Sequence, residues 1–377
     1  MLNGVRLLFV VTEDWYFCSH RLAIATAARK LGMQVAVATR IREHGDAIRQ
    51  AGIEVLPIEW SRGGSNPFQE VKVLALLLRA YRSYRPDIVH HVAMKPVILG
   101  TAAARATGVR GVVNALAGLG YVFSSSDARA RMLRVVSVLA ARLALHHPRS
   151  RVIVQNPDDY AVVVERRLAR PGDVRLIRGS GVDLETFSVQ PQPDGVPVVV
   201  LPARMLRDKG IFEFVEAARI LAARSVQVRM ALVGAPDPAN PASVSERQLL
   251  RWTQAGFVEW WGWHDDMRDV FRRSTIVCLP SYREGLPKAL LEAAACGRPL
   301  VASDVPGCRE VVQHRRTGLL VPPGDPQALA TAVATLVCDR ELSRTLGAEG
   351  RRVAEQEFSV EEVTRATTDL YREVLWS

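Results

Sequence analysis

Short apolar runs punctuate the first half of the chain at Val5–Val11, Val35–Thr39, Ile53–Leu56, Ile88–His91, Val112–Asn114 and Val152–Val154, with amphipathic stretches such as Ser19–Leu31 and Pro67–Arg82 between them. Strand and helix in strict turn predict parallel sheets wound on both faces. The same rhythm returns at Val198–Leu201, Val228–Val233, Ile276–Leu279, Leu300–Ala302 and Leu319–Val321. Between the two series, Ser188–Pro197 holds three prolines and a glycine without periodicity, which reads as a linker. The expected division is therefore residues 1–187, residues 188–359 and a last helix within residues 360–377. Two Rossmann-like, doubly wound parallel-sheet domains facing one another would leave a central cleft, with ligands beyond the carboxyl ends of the strands.

Composition narrows the function classes. At 377 residues two domains are the natural expectation, and 48% hydrophobic residues suffice for full cores. The apolar run near Met1 is short and is followed by Glu13 and Asp14, so it reads as a first strand and not a signal peptide. Arginines interrupt every run that approaches the length of a membrane span. The five cysteines are scattered without a Cys-x-x-Cys pair, which points to a reduced, cytoplasmic setting. A net charge of +10 favours anionic partners: a nucleotide diphosphate, an acidic membrane face or nucleic acid. Nucleic acid is the weakest of these, since there is no zinc-ligand spacing and no reading helix.

The densest chemistry lies at 280–296, Pro-Ser-Tyr-Arg-Glu-Gly-Leu-Pro-Lys-Ala-Leu-Leu-Glu-Ala-Ala-Ala-Cys, directly after an apolar run. It reads as strand, tight turn and helix: Glu284 and Gly285 in the turn, Pro287 at the first helical position, Glu292 on the helix. Unpaired amides at such a helix start suit a diphosphate. Taken singly, Glu284 could be a cap and Glu292 a solvated charge. After the strand Val198–Leu201 comes Pro202-Ala-Arg-Met-Leu-Arg-Asp-Lys-Gly, in which Arg204 and Lys209 flank a turn; alone this could be a solvated basic loop.

The two stretches together, with Ala-Cys-Gly-Arg-Pro-Leu-Val-Ala at 295–302, Val-Pro-Gly-Cys-Arg-Glu at 305–310 and Gly-Leu-Leu-Val-Pro-Pro-Gly-Asp-Pro at 318–326, resemble the donor site of retaining family 4 glycosyltransferases. The resemblance implies the GT-B fold, and with it a last helix, at about 360–375, that returns across the cleft to pack on the first domain. It assigns Arg204 and Lys209 to the departing diphosphate, Glu284 with the backbone at Gly285, Leu286 and Lys288 to the sugar and phosphates, Glu292 to the ribose, and the backbone at Trp263 to the base, with the uracil of a UDP-sugar as the expected case. No Asp-x-Asp triplet is present, so protein cations are expected to serve where others use a metal, and no cofactor is expected. Neither a Walker motif nor Gly-x-Gly-x-x-Gly follows a strand, which argues against a motor or a dinucleotide oxidoreductase.

The first half should bind the acceptor, with His91, Lys95 and Asn114 as candidates and His90 open to reading as a core histidine. Lys-Pro-Val-Ile-Leu-Gly and Gly-Leu-Gly-Tyr121 resemble the subgroup that extends polyprenyl-diphosphate-linked intermediates of bacterial surface polysaccharides (lipopolysaccharide or capsule). Ala117 stands where many members have a sugar-contacting histidine. Arginines among leucines and valines over 127–151 read either as a membrane-binding basic helix or as a core-packed helix with a charged face, so a peripheral position at the inner face of the membrane is expected. The rival activity is a nucleotide-sugar epimerase or hydrolase on the same scaffold, drawing on His264 or Glu13.

Overall fold

A computed structural model describes residues 2–60, 67–116, 139–147, 149–238 and 240–376. It divides into two compact units, Met1–Ser180 with Val360–Ser377, and Gly181–Ser359. The first carries a seven-stranded sheet in the order β3-β2-β1-β4-β5-β6-β7, all neighbours parallel. Its strands are β1 Arg6–Glu13, β2 Gln34–Arg40, β3 Glu54–Pro57, β4 Ile88–Val92, β5 Gly111–Ala115, β6 Ser150–Val154 and β7 Val174–Leu176. The second carries a six-stranded parallel sheet in the order β10-β9-β8-β11-β12-β13. These strands are β8 Val198–Pro202, β9 Arg229–Val233, β10 Glu259–Gly262, β11 Ile276–Leu279, β12 Leu300–Ser303 and β13 Gly318–Val321.

Helices cover both faces of each sheet, so central strands such as β8 and β11 are buried at every position and read as unbroken apolar runs. The outer strands β7 and β10 carry no such run and were not expected from the sequence. Three residues, Val-Arg-Leu, make β7, and the half-buried Glu-Trp-Trp-Gly makes β10.

In the first unit the crossovers include α1 Asp14–His20, α2 Leu22–Lys30, α3 Gly45–Gln50, α4 Pro67–Tyr84, α5 Met94–Thr107 and α6 Pro157–Glu165. The second unit has α7 Ile211–Ala223, α8 Glu246–Gln254, α9 Met267–Arg272, α10 Lys288–Ala295, α11 Pro306–Val311, α12 Pro326–Cys338 and α13 Arg340–Glu357. The final helix, α14 Val360–Trp376, belongs to the first unit: Val363, Leu370, Tyr371 and Val374 are buried in the core that holds Leu7 and Phe9. Its Tyr371 hydroxyl lies 2.7 Å from His90 Nδ1, and Glu373 accepts from Arg151 at 2.7 Å.

The division falls at Ser180/Gly181, ahead of the expected residue 187. Val182 is buried in the second unit's core, Phe187 packs beside Phe271 at 6.3 Å, and Arg351 donates to the Phe187 carbonyl at 2.8 Å. The proline-rich stretch is likewise held within that unit, since Arg298 donates to the Pro191 carbonyl at 2.9 Å. At the crossing itself stand Gly179 and Gly181, at φ 71° and 73°, where a side chain would be strained.

Candidate functional site

Strand order in the second unit reverses between β8 and β11, and open parallel sheets bind ligands beyond the carboxyl ends of strands at such a reversal. The residues that leave these two strands are the ones singled out by motif. After β8, a single 3₁₀ turn at Arg207–Lys209 leads through Gly210 into α7. Gly210 adopts φ 73°, and a Cβ there would sit 2.2 Å from the Pro280 carbonyl oxygen, so this turn is pressed against the end of β11.

The close approach brings Lys209 Nζ to 2.5 Å from Glu284 Oε1, a pair with side chains 22% and 10% exposed. Arg204 donates to Asp237 Oδ2 at 3.0 Å and is half exposed. Asp237 lies in the loop after β9 with no motif around it, so nothing in the sequence marks it.

The turn after β11 is fixed from the other side by Gly307 in α11. A Cβ on Gly307 would lie 2.3 Å from the Gly285 carbonyl oxygen and 2.6 Å from that of Glu284. Pro287 is the residue preceding α10 and not its first helical residue, with φ −76° and ψ 109° and no side-chain cap. The Pro287 carbonyl accepts from the Leu290 and Leu291 amides at 3.1 and 3.3 Å, which opens α10 directly behind the turn. Leu286 is partly buried against the core. Glu292 is 6% exposed and faces Lys288 Nζ at 3.1 Å. Burial pushes the Glu292 carboxyl up from its ordinary value, and the Lys288 ammonium opposes that rise. Trp263, after β10, is 66% exposed with its indole N–H held by Asp265 Oδ1 at 2.8 Å.

In the first unit the order reverses between β1 and β4. Ala93, between β4 and α5, is held at φ 75° and ψ 162°, a region unusual for alanine and a form of strain often found at sites. Lys95 stands in the first turn of α5 with Nζ 2.7 Å from Glu70 Oε1. His91 and Asn114, expected on the acceptor side, have no exposed surface. The His91 ring bonds Tyr81 at 2.8 Å through Nε2 and Asn114 Oδ1 at 2.7 Å through Nδ1, and Asn114 donates to Ser150 Oγ at 3.1 Å. Both therefore brace the sheet from within. Buried neutral imidazole is favoured there, and His91 is lowered to about 4.

Glu13, invoked for the rival activity, is engaged by Arg40 at 3.2 Å. Of the basic stretch, residues 127–138 lie outside the described residues, as do Ala117 and the Gly-Leu-Gly-Tyr121 segment. Arg151 belongs to β6, and Arg142 donates to the Arg167 carbonyl at 3.0 Å, so these two serve the first unit's own structure.

The chain matches the family Glycosyl transferase 4-like over residues 6–155 and Glycosyl transferases group 1 over residues 196–339. It is 26% identical to the N,N'-diacetylbacillosaminyl-diphospho-undecaprenol alpha-1,3-N-acetylgalactosaminyltransferase of Campylobacter jejuni, over 86% of this chain and 88% of that one. It is 23% identical to the UDP-Gal:alpha-D-GlcNAc-diphosphoundecaprenol alpha-1,3-galactosyltransferase of Escherichia coli, over 73% and 72%. Among solved structures, Anabaena HepE in complex with UDP and glucose superposes with a TM-score of 0.81 at 20% identity, covering 98% of this chain and 100% of that one. With a 4-like half and a group 1 half on twin parallel sheets, the chain belongs to the glycosyltransferases of the GT-B fold.

Proposed function

We propose that this glycosyltransferase is a retaining enzyme that moves a sugar from a UDP-linked donor to a polyprenyl-diphosphate-linked acceptor in the assembly of bacterial surface polysaccharide. The observation that carries the reading is the contact of Lys209 with Glu284 at the strand-order reversal, made by the two turns that also carry Arg204 and lead into α10. An ammonium has three donors, so Lys209 can keep Glu284 and still offer protons to a phosphate. With Arg204 it would stabilise charge gathering on the departing diphosphate, the role a divalent metal plays elsewhere. Glu292 takes the ribose hydroxyls and the backbone at Trp263 the base. The UDP-Gal donor and the undecaprenol-diphosphate acceptors in the names of the two bacterial relatives support this choice of substrates.

In the transfer step the bond from the anomeric carbon to the diphosphate oxygen breaks while the acceptor oxygen bonds to the same face. The acceptor's proton passes to the leaving diphosphate, so no side chain need act as general base, and Glu284 holds the sugar in position. On the first unit Lys95, with Glu70 as its resting counter-ion, would meet the acceptor's phosphates. The pairing of Glu13 with Arg40 weighs against its use as a base in an epimerase or hydrolase. No helix among the described residues is long and apolar enough to cross a membrane, and a charge of +10 suits peripheral binding at an anionic inner face.

The test is incubation with a panel of UDP-sugars and undecaprenyl-diphosphate-linked sugars in the presence of EDTA, read by mass spectrometry and NMR of the new linkage. An α-linked product with UDP release is expected. Free sugar or epimerised nucleotide as the sole product would overturn the reading.

A further inference from the structure

We infer that Lys288 is a positioning residue for Glu292: its ammonium, one helical turn away on the same face of α10, keeps the Glu292 carboxylate ionised and aimed for the donor's ribose. The inference rests on the donor reading above and assigns to the Lys288 side chain a task separate from that of its backbone amide.

The geometry is specific. Lys288 Nζ lies 3.1 Å from Glu292 Oε1 at the i,i+4 spacing, with side chains 30% and 8% exposed. An exposed pair of this spacing would contribute little. Here the carboxylate is nearly sealed from water, and a buried carboxyl without a counter-ion takes up a proton. Ionisation matters because two vicinal ribose hydroxyls both donate, and a carboxylate accepts from both, whereas a carboxylic acid spends one oxygen as a donor.

Among the described residues, the cations on the elements packed against α10 are directed to other partners. Arg351 of α13 donates to the carbonyls of Ala295 and Phe187 and pairs with Glu355. Arg309 of α11 pairs with Asp304, and Lys209 with Glu284. Arg298, after α10, donates through Nη2 to the Pro191 carbonyl and leaves Nε and Nη1 without a hydrogen-bond partner, but the charge that acts on Glu292 is that of Lys288. The nearby thiols of Cys296, Cys308 and Cys278 are all pushed up by burial and stay neutral. Burial drives the Glu292 carboxyl up and Lys288 draws it back, so removing Lys288 moves its protonation to higher pH.

The experiment measures UDP affinity by calorimetry between about pH 6 and about pH 8.5 for the wild-type chain, Lys288→Met, Lys288→Arg, Glu292→Gln and the double variant Lys288→Met/Glu292→Gln. Lys288→Met is expected to weaken UDP about tenfold at the acid end and to regain affinity as pH rises, while Lys288→Arg stays near wild type. In the Glu292→Gln background Lys288→Met is expected to change nothing further, which also removes any concern that an unpaired buried charge unfolds the single variant. A loss equal at every pH, no loss at all, or a full additional loss in the double variant would overturn the inference while leaving the donor reading intact. Absence of UDP binding by the wild-type chain would instead overturn the donor reading, and this inference with it.

Discussion

Lys209 and Glu284 come from motifs 75 residues apart in the chain and meet at 2.5 Å. Their identities could be read from local patterns, but their partnership could not, because it depends on the turn after β8 being pressed against the end of β11. Replacing Lys209 by Met should lower kcat by about a hundredfold or more, and Glu284→Ala should abolish transfer with the fold intact, as followed by UDP release and circular dichroism. Undiminished turnover in either variant would refute its role. His91 and Asn114 show the opposite case: polar residues at a strand end that looked available are consumed by Tyr81 and Ser150. His91 falls from an ordinary 6.5 to about 4, so the folded chain binds fewer protons than the unfolded one between those values. Its contribution is complete above about pH 6.5 and is lost as pH falls toward about 4. Melting temperature should therefore drop on acidification through this window, and less steeply in His91→Gln; equal slopes would exclude the effect.

At the scale of elements, legibility followed the apolar run. Strands enclosed on both faces announced themselves that way, and so did the edge strands β3 and β13, whereas the edge strands β7, three residues with an arginine at the centre, and β10, a half-buried Glu-Trp-Trp-Gly, carry no such signature. The start of α10 was legible to within a residue, since Pro287 fixes the backbone yet stands just outside the helix. The role of α11 was not legible, because its glycine matters for what it nearly touches. Gly307→Ala should push the 284–285 turn outward, costing about 1–3 kcal/mol of stability and weakening UDP binding more than it lowers the melting temperature. Wild-type UDP affinity in that variant would show that the turn does not depend on this contact.

For the whole molecule, the two-sheet plan was legible from rhythm alone, but the place where one unit gives way to the other was not. The eye is drawn to prolines at 191, 193 and 197, while the crossing sits at the less conspicuous Gly179-Ser180-Gly181. The net charge of +10 also belongs to this scale. Vesicles rich in anionic lipid should co-sediment the chain at low salt, release it as salt rises, and retain less of an Arg131→Glu/Arg134→Glu variant. Sedimentation unchanged by that variant would remove those arginines from any membrane contact. The helix α14 has one more consequence. The first unit is sewn from two pieces with the entire second unit spooled between them. On the ribosome, the later unit can close its core while the earlier one still waits for Leu370, Tyr371 and Val374 to emerge, so the half made first is the half finished last.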